Sequence, residues 1–202
     1  MFAAAAAAAP HIAARLLADG LVIHDDYLDA VETRAIADCA RRRYDRGEFA
    51  PAGIGPAGGA LRREDLRGDS TCWLAAPLTE AEAQLLAAFE ALRLAVNRDG
   101  LMGLFDLEMH YSRYPPGAQY ARHVDQPQGH GQRRVSVVLY LNANWPADAG
   151  GALRVFDADA AHRDIQPIGG RLVCFCSAGR EHAVRPARSV RLALSGWFRT
   201  RE

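Results

Sequence analysis

The spacing of hydrophobic positions changes once along the chain, near residue 105. Before that point a short apolar run, Leu21-Val22-Ile23, predicts a strand. Asp29, with Glu32 three residues on, predicts a helix start. Val31, Ala35, Cys39 and Tyr44, with Ile36 and Ala40 beside them, give a helical stripe to about Gly47. Thr79 and Glu82 repeat the capping pattern, and Leu85, Leu86, Phe89, Leu92 and Val96 predict a second helix to about Asn97. Beyond residue 105, stretches rich in valine, leucine and aromatics alternate with glycine and proline turns. They predict strands at 105–114, 133–142, 152–156, 171–176, 182–184 and 190–200. Closely spaced strands without intervening helices imply an antiparallel sandwich or barrel. The helices can cover one face and share its core. The fold class expected is α+β, a jelly roll with N-terminal helices packed on one sheet.

Residues 47–64 are rich in glycine, proline and alanine and predict a loop. Gly53, Gly55 and Gly58 spell a formal GxGxxG, but no strand precedes it and no helix opens in it, so the dinucleotide-binding reading fails on context. Residues 1–20 form an alanine-rich segment. It lacks a basic start and a strongly apolar run, which argues against an export signal. No stretch approaches the roughly 20 apolar residues a bilayer requires. A cytoplasmic protein with no membrane partner is expected, with residues 21–202 as a single domain: helical support over 21–104 and a strand core over 105–202.

Composition adds two exclusions. All 24 basic residues are arginine and 24 acidic residues balance them, which argues against nucleic acid as a partner. The four cysteines form no CxxC, and Cys174 and Cys176, two apart in an apolar run, predict packing residues on one strand face.

The pattern His-x-Asp occurs three times, at His24-Asp25-Asp26, His123-Val124-Asp125 and His162-Arg163-Asp164. A facial metal site needs two ligands at i and i+2 on one strand face and a third from elsewhere, with the remaining positions open. The first pair falls where strand gives way to helix cap, and the third in a polar, alanine-rich connection that reads as loop. His123 and Asp125 fall at a strand end near a rim. Fifty-six residues separate Asp125 from His182, room for strands to return beside it, and Arg191 follows nine residues later. Alternation puts Arg191, Ala193, Ser195 and Trp197 on one strand face. An arginine with small neighbours suits a bidentate grip on a carboxylate.

The segments RYPPGAQYARHVDQP, RRVSVVLYLNANW, GGALRVF and EHAVRPARSVRLALSGWF, with LRGDSTCWL upstream, resemble iron(II)- and 2-oxoglutarate-dependent oxygenases of the prolyl 4-hydroxylase type. The likeness runs over residues 21–200 and is greatest to the oxygen-sensing prolyl hydroxylases of animals and their bacterial relatives. It implies a double-stranded β-helix and assigns roles position by position. His123, Asp125 and His182 would hold Fe(II). Arg191 and Tyr140 would take the far carboxylate of 2-oxoglutarate, with Tyr114 and Ser195 beside it. Trp197 would lie at the substrate end. Arg67 and Asp69 follow the 47–64 loop, and the resemblance brings Arg133 to Asp69 as a hinge beneath a substrate-closing loop.

The implied reaction consumes O2 and 2-oxoglutarate, yields succinate and carbon dioxide, and hydroxylates a prolyl C4 in a protein. Elongation factor Tu is a candidate substrate and ascorbate a candidate accessory. Two departures touch the substrate entrance: the loop between Tyr114 and His123 is one residue shorter than in the animal enzymes, and the turn over 126–133 one longer. A C-terminal substrate-facing helix is also expected to be missing. Two alternatives stay open: an oxygenase of the same fold acting on a free amino acid or other small molecule, and an iron-binding jelly-roll module without turnover.

Overall fold

The computed structural model describes residues 2–53, 63, 65–126, 131–157 and 161–201. Most of the 47–64 loop, the GxGxxG pattern and part of the 126–133 turn lie outside the described residues. Helices α1 (Ala3–Ala7), α2 (Ala9–Asp19), α3 (Ala30–Asp45) and α4 (Glu80–Gly100) alternate with strands β1 (Leu21–His24), β2 (Ala50–Pro51) and β3 (Ser70–Trp73). Eight strands follow: β4 (Leu104–Tyr114), β5 (Tyr120–His123), β6 (Arg133–Tyr140), β7 (Leu153–Phe156), β8 (His162–Ile165), β9 (Leu172–Cys176), β10 (His182–Val184) and β11 (Arg191–Thr200).

The strands form two antiparallel sheets. The larger has the order β1-β9-β6-β11-β4-β3-β2 and the smaller β5-β10-β7-β8. Strand alternation divides the larger sheet's side chains between two cores. Val135, Val137, Leu139, Leu172, Cys174, Leu194 and Phe198 pack outward with the helices. Tyr140, Val173, Phe175 and Ala193 point between the sheets, where Tyr114, Leu153, Val155, Ile165 and Val184 meet them. This is the expected jelly roll with helices on one sheet, and Cys176 packs on the Cys174 side.

Both capping boxes form: Asp29 accepts from Val31 and Glu32 backbone N–H groups, and Thr79 from that of Glu82. The predicted α3 stripe is rotated. Val31 is 71% exposed and Tyr44 43%, whereas Ile36, Ala37, Cys39, Ala40 and Arg43 are buried. Arg43 takes a core position because Glu82, 1% exposed on α4, receives its guanidinium in two bonds of 2.8 and 3.2 Å. Glu82 also accepts from the Tyr111 hydroxyl at 3.1 Å. Residues 2–20 are a full part of the fold: Ile12, Ala13 and Leu16 are buried in the helix-side core with Leu85, Phe89 and Leu92. Alanine lets α2 lie close to α4 where larger side chains would hold it off.

Candidate active site

β5 and β10 are neighbours, and their register sets His123 directly opposite His182. Asp125 follows in the turn after β5. Both imidazoles are held by main chain. The Nδ1 of His123 lies 2.8 Å from the Ala121 carbonyl, and that of His182 lies 3.1 Å from the Arg180 carbonyl. A carbonyl can only accept, so Nδ1 carries a proton, and in the neutral ring that leaves the Nε2 lone pair free for a metal. Those two Nε2 atoms each stand 3.5 Å from Asp125 Oδ1. Three ligand atoms within 4.8 Å of one another, two neutral nitrogens and one carboxylate oxygen, make a triangular face that suits a ferrous ion with three positions to spare. Burial works against the charged forms of all three. It carries His123 below its ordinary range, while Asp125 outweighs it at His182, whose pKa rises. At Asp125 the two histidines overcome burial and hold the carboxyl well below the usual range.

The larger sheet, packed against this one, contributes β4, β6 and β11. Arg191 pairs with Tyr114 across β11 and β4, and Ala193 with Tyr140 across β11 and β6. The Arg191 side chain is 2% exposed, with its guanidinium carbon 5.2 Å from the Tyr114 ring centroid and 5.0 Å from that of Tyr140. Its Nε donates to the Gly151 carbonyl at 2.9 Å. Gly151 sits at φ +74°, and a Cβ there would stand 3.0 Å from Trp145 and 3.5 Å from the Arg191 side chain, so glycine is what lets the turn seat the arginine. No carboxylate pairs with Arg191 among the described residues, and the Tyr140 hydroxyl is buried with no hydrogen-bond partner. A buried cation beside an unpaired hydroxyl fits a small dicarboxylate such as 2-oxoglutarate. Ser195 lies farther along β11 and receives the Ser112 hydroxyl at 3.3 Å.

At the rim the structure corrects one expectation. Asp69 pairs with Arg67, in bonds of 2.7 and 3.2 Å, and Arg133 pairs with Glu108 at 2.8 Å instead of with Asp69. Glu108 faces Trp197 across β4 and β11, and Arg133 lies over the Trp197 ring at 3.6 Å, so carboxylate and indole together draw it away. Arg67 covers Tyr120 at 4.6 Å, and Tyr120 stacks on His123 at 3.6 Å. The remaining His-x-Asp pairs are structural. Asp25 pairs with Arg171, and Asp164 pairs with Arg154 at 2.8 Å. His162-Arg163-Asp164 lies on strand β8, where a loop was expected, because Arg154 on β7 gives Asp164 a cross-strand partner.

Residues 109–199 match the 2OG-Fe(II) oxygenase superfamily. A prolyl-4-hydroxylase from Pseudomonas putida superposes with a TM-score of 0.86 at 41% identity, covering 96% of this chain and 99% of that one. The chain belongs to the prolyl 4-hydroxylase family of 2OG-Fe(II) oxygenases. Human Egl nine homolog 1 is 32% identical over 189 residues, 89% of this chain. A Trichoplax adhaerens prolyl hydroxylase, solved with a hypoxia-inducible factor peptide, superposes with a TM-score of 0.87 at 26% identity, covering 96% of this chain and 90% of that one. The chain spans 43% to 55% of the length of the Egl nine homolog 1 proteins of human, rat and mouse.

Four side chains of this prolyl hydroxylase family member escaped sequence reasoning. Ser136 and Ser177 back the Asp125 carboxylate. Tyr120 backs His123. His110 is 3% exposed between Trp73 and Trp197, with ring centroids at 4.8 and 5.4 Å, and its Nδ1 has no partner. Ser136 and His110 did leave a signal: each is polar at a position where strand alternation demands an inward side chain.

Proposed function

We propose that the chain is an iron(II)- and 2-oxoglutarate-dependent dioxygenase that hydroxylates C4 of a prolyl residue in a protein. The observation that carries this reading is the buried Arg191 guanidinium, paired with no carboxylate among the described residues and borne on the sheet that packs against the one carrying His123 and His182. Fe(II) would be held by those three side chains. When bound with O2 and 2-oxoglutarate, it supplies the oxidising chemistry, with decarboxylation to succinate. The chain's own work is positional. Arg191 and the Tyr140 hydroxyl hold the distal carboxylate, Tyr114 forms the apolar wall against the co-substrate, and Ser195 offers a further hydroxyl. Burial of this wall keeps water from the reacting face.

Trp197, with Arg133 laid over it, would meet the substrate, and Arg67 with Asp69 would brace the end of the 47–64 segment beside it. A peptide substrate is favoured by the Trichoplax neighbour and its bound peptide. Elongation factor Tu remains the candidate target, ascorbate a candidate accessory, and the cytoplasm the expected location. No helix among the described residues is long and apolar enough to cross a membrane. Incubation with Fe(II), 2-oxoglutarate and host lysate is expected to add one oxygen atom to a proline, read by mass spectrometry, and His123→Ala to abolish succinate formation. Succinate formation retained in that variant would refute the reading.

A further inference from the structure

We propose that Ser136 and Ser177 form a two-hydroxyl relay that fixes which oxygen of Asp125 faces the metal. The inference rests on the ligand assignment above. Ser136 lies on the inward face of β6, 1% exposed, and Ser177 follows β9, fully buried. Ser136 Oγ is 2.7 Å from Asp125 Oδ2 and 2.8 Å from Ser177 Oγ. Each hydroxyl has one proton, and an ionised carboxylate can only accept. Ser136 therefore donates to Asp125, which leaves Ser177 to donate to Ser136. The direction is set without seeing a hydrogen: Ser177 to Ser136 to Asp125.

This divides the carboxylate. Oδ1 lies 3.5 Å from both histidine Nε2 atoms, while Oδ2 is tied to the larger sheet. The anchor is firm because the Ser177 N–H donates to the Arg134 carbonyl at 2.9 Å, continuing the β6–β9 ladder. A carboxylate free to rotate can offer a metal both oxygens. Asp125 would then occupy one of the positions that the 2-oxo acid and dioxygen require. With Oδ2 engaged, Asp125 binds through one oxygen and the open positions stay open. A hydrogen bond to an ionised carboxylate, backed by a second hydroxyl, is strong enough for this task. Ser136 and Ser177 are thus positioning residues, acting through Asp125.

The test titrates Mn(II), a redox-inert stand-in for Fe(II), into the full chain with 2-oxoglutarate present. Ser136→Ala is expected to weaken Mn(II) binding about 10- to 100-fold. Ser177→Ala, which keeps the first hydrogen bond, should weaken it less. Ser136→Thr retains the hydroxyl on a strand-compatible side chain and should bind near the wild-type level. Unchanged Mn(II) affinity in both alanine variants would overturn the relay. So would a threonine variant as weak as the alanine one, since packing would then be the cause. Should Ser136→Ala fail to fold, the Ser177→Ala and Ser136→Thr pair decides alone. Wild type that binds no Mn(II), or Asp125→Asn that binds as well as wild type, would instead bring down the ligand assignment itself.

Discussion

Arg191 is the side chain whose cost to the fold is clearest. Its guanidinium is buried with no carboxylate paired to it among the described residues, an arrangement that destabilises a chain unless an anion answers it. Arg191→Met is therefore expected to raise the melting temperature of the metal-free chain while raising KM for 2-oxoglutarate at least 10-fold. Arg191→Lys should rescue little, because an ammonium cannot reproduce the planar two-pronged grip. His110 gives a second residue-level expectation. Burial first, then Arg67 and Arg133, push its pKa down to about 3 from 6.5, with Asp125 opposing. The folded chain thus refuses a proton that the unfolded chain accepts below pH 6.5, so acidification costs stability, up to about 1.4 kcal/mol per pH unit. Urea unfolding at pH 7 and pH 5 should show His110→Leu gaining on wild type at the lower pH; an equal gap at both would contradict a buried neutral imidazole. What could be read at this scale from sequence was the cluster of His123, Asp125 and His182 and the inward Arg191, through i, i+2 spacing and family likeness. Ser136 and His110 left only the signal of a polar residue at an inward strand position, which acquires meaning only from what the fold sets against it.

At the scale of elements, both capping boxes and the principal strands were legible, since each is written locally in spacing and side-chain chemistry. The short strands β2, β3 and β8 were not: β3 is decided by its pairing with β4 farther along the chain, and polar β8 by the Arg154–Asp164 pair that ties it to β7. The face of α3 was misread for a related reason. Arg43 looks solvent-bound until Glu82 on α4 is known to meet it. That buried pair predicts an asymmetry: Glu82→Ala should cost about 3–5 kcal/mol, while Arg43→Met combined with Glu82→Leu should cost far less. Chemical denaturation of the single and double variants checks this. The alanine-rich first helices carry a simpler expectation. Leu16→Ala, at a core position where α2 meets α4, should cost about 2–5 kcal/mol, a loss that a detached leader segment would never show.

For the whole molecule, helices on one sheet and a sandwich of two sheets followed from the single change of period near residue 105. The strand order did not, because crossovers leave no local trace. The order matters, since it brings His123 and His182 from the smaller sheet to face Arg191 on the larger one. Ligands that bridge the sheets should therefore stabilise the fold as a unit. Mn(II) with 2-oxoglutarate at 100 times its Kd should add about 2.7 kcal/mol, a rise of roughly 5–10 °C in Tm, and Arg191→Met should abolish the 2-oxoglutarate share. The smaller sheet is also the weaker side of the sandwich. Its strands run only three or four residues, and β8 at its edge is largely exposed. Strands this short exchange their amide protons through local opening, and a metal held between β5, β10 and the turn after β5 would latch them shut. Hydrogen exchange at 120–123 and 182–184 should slow on Mn(II) addition while β4 and β11 change little. The same ion that equips the chain for turnover would then also set how long it survives proteolysis, so metal supply would govern the protein's lifespan as well as its rate.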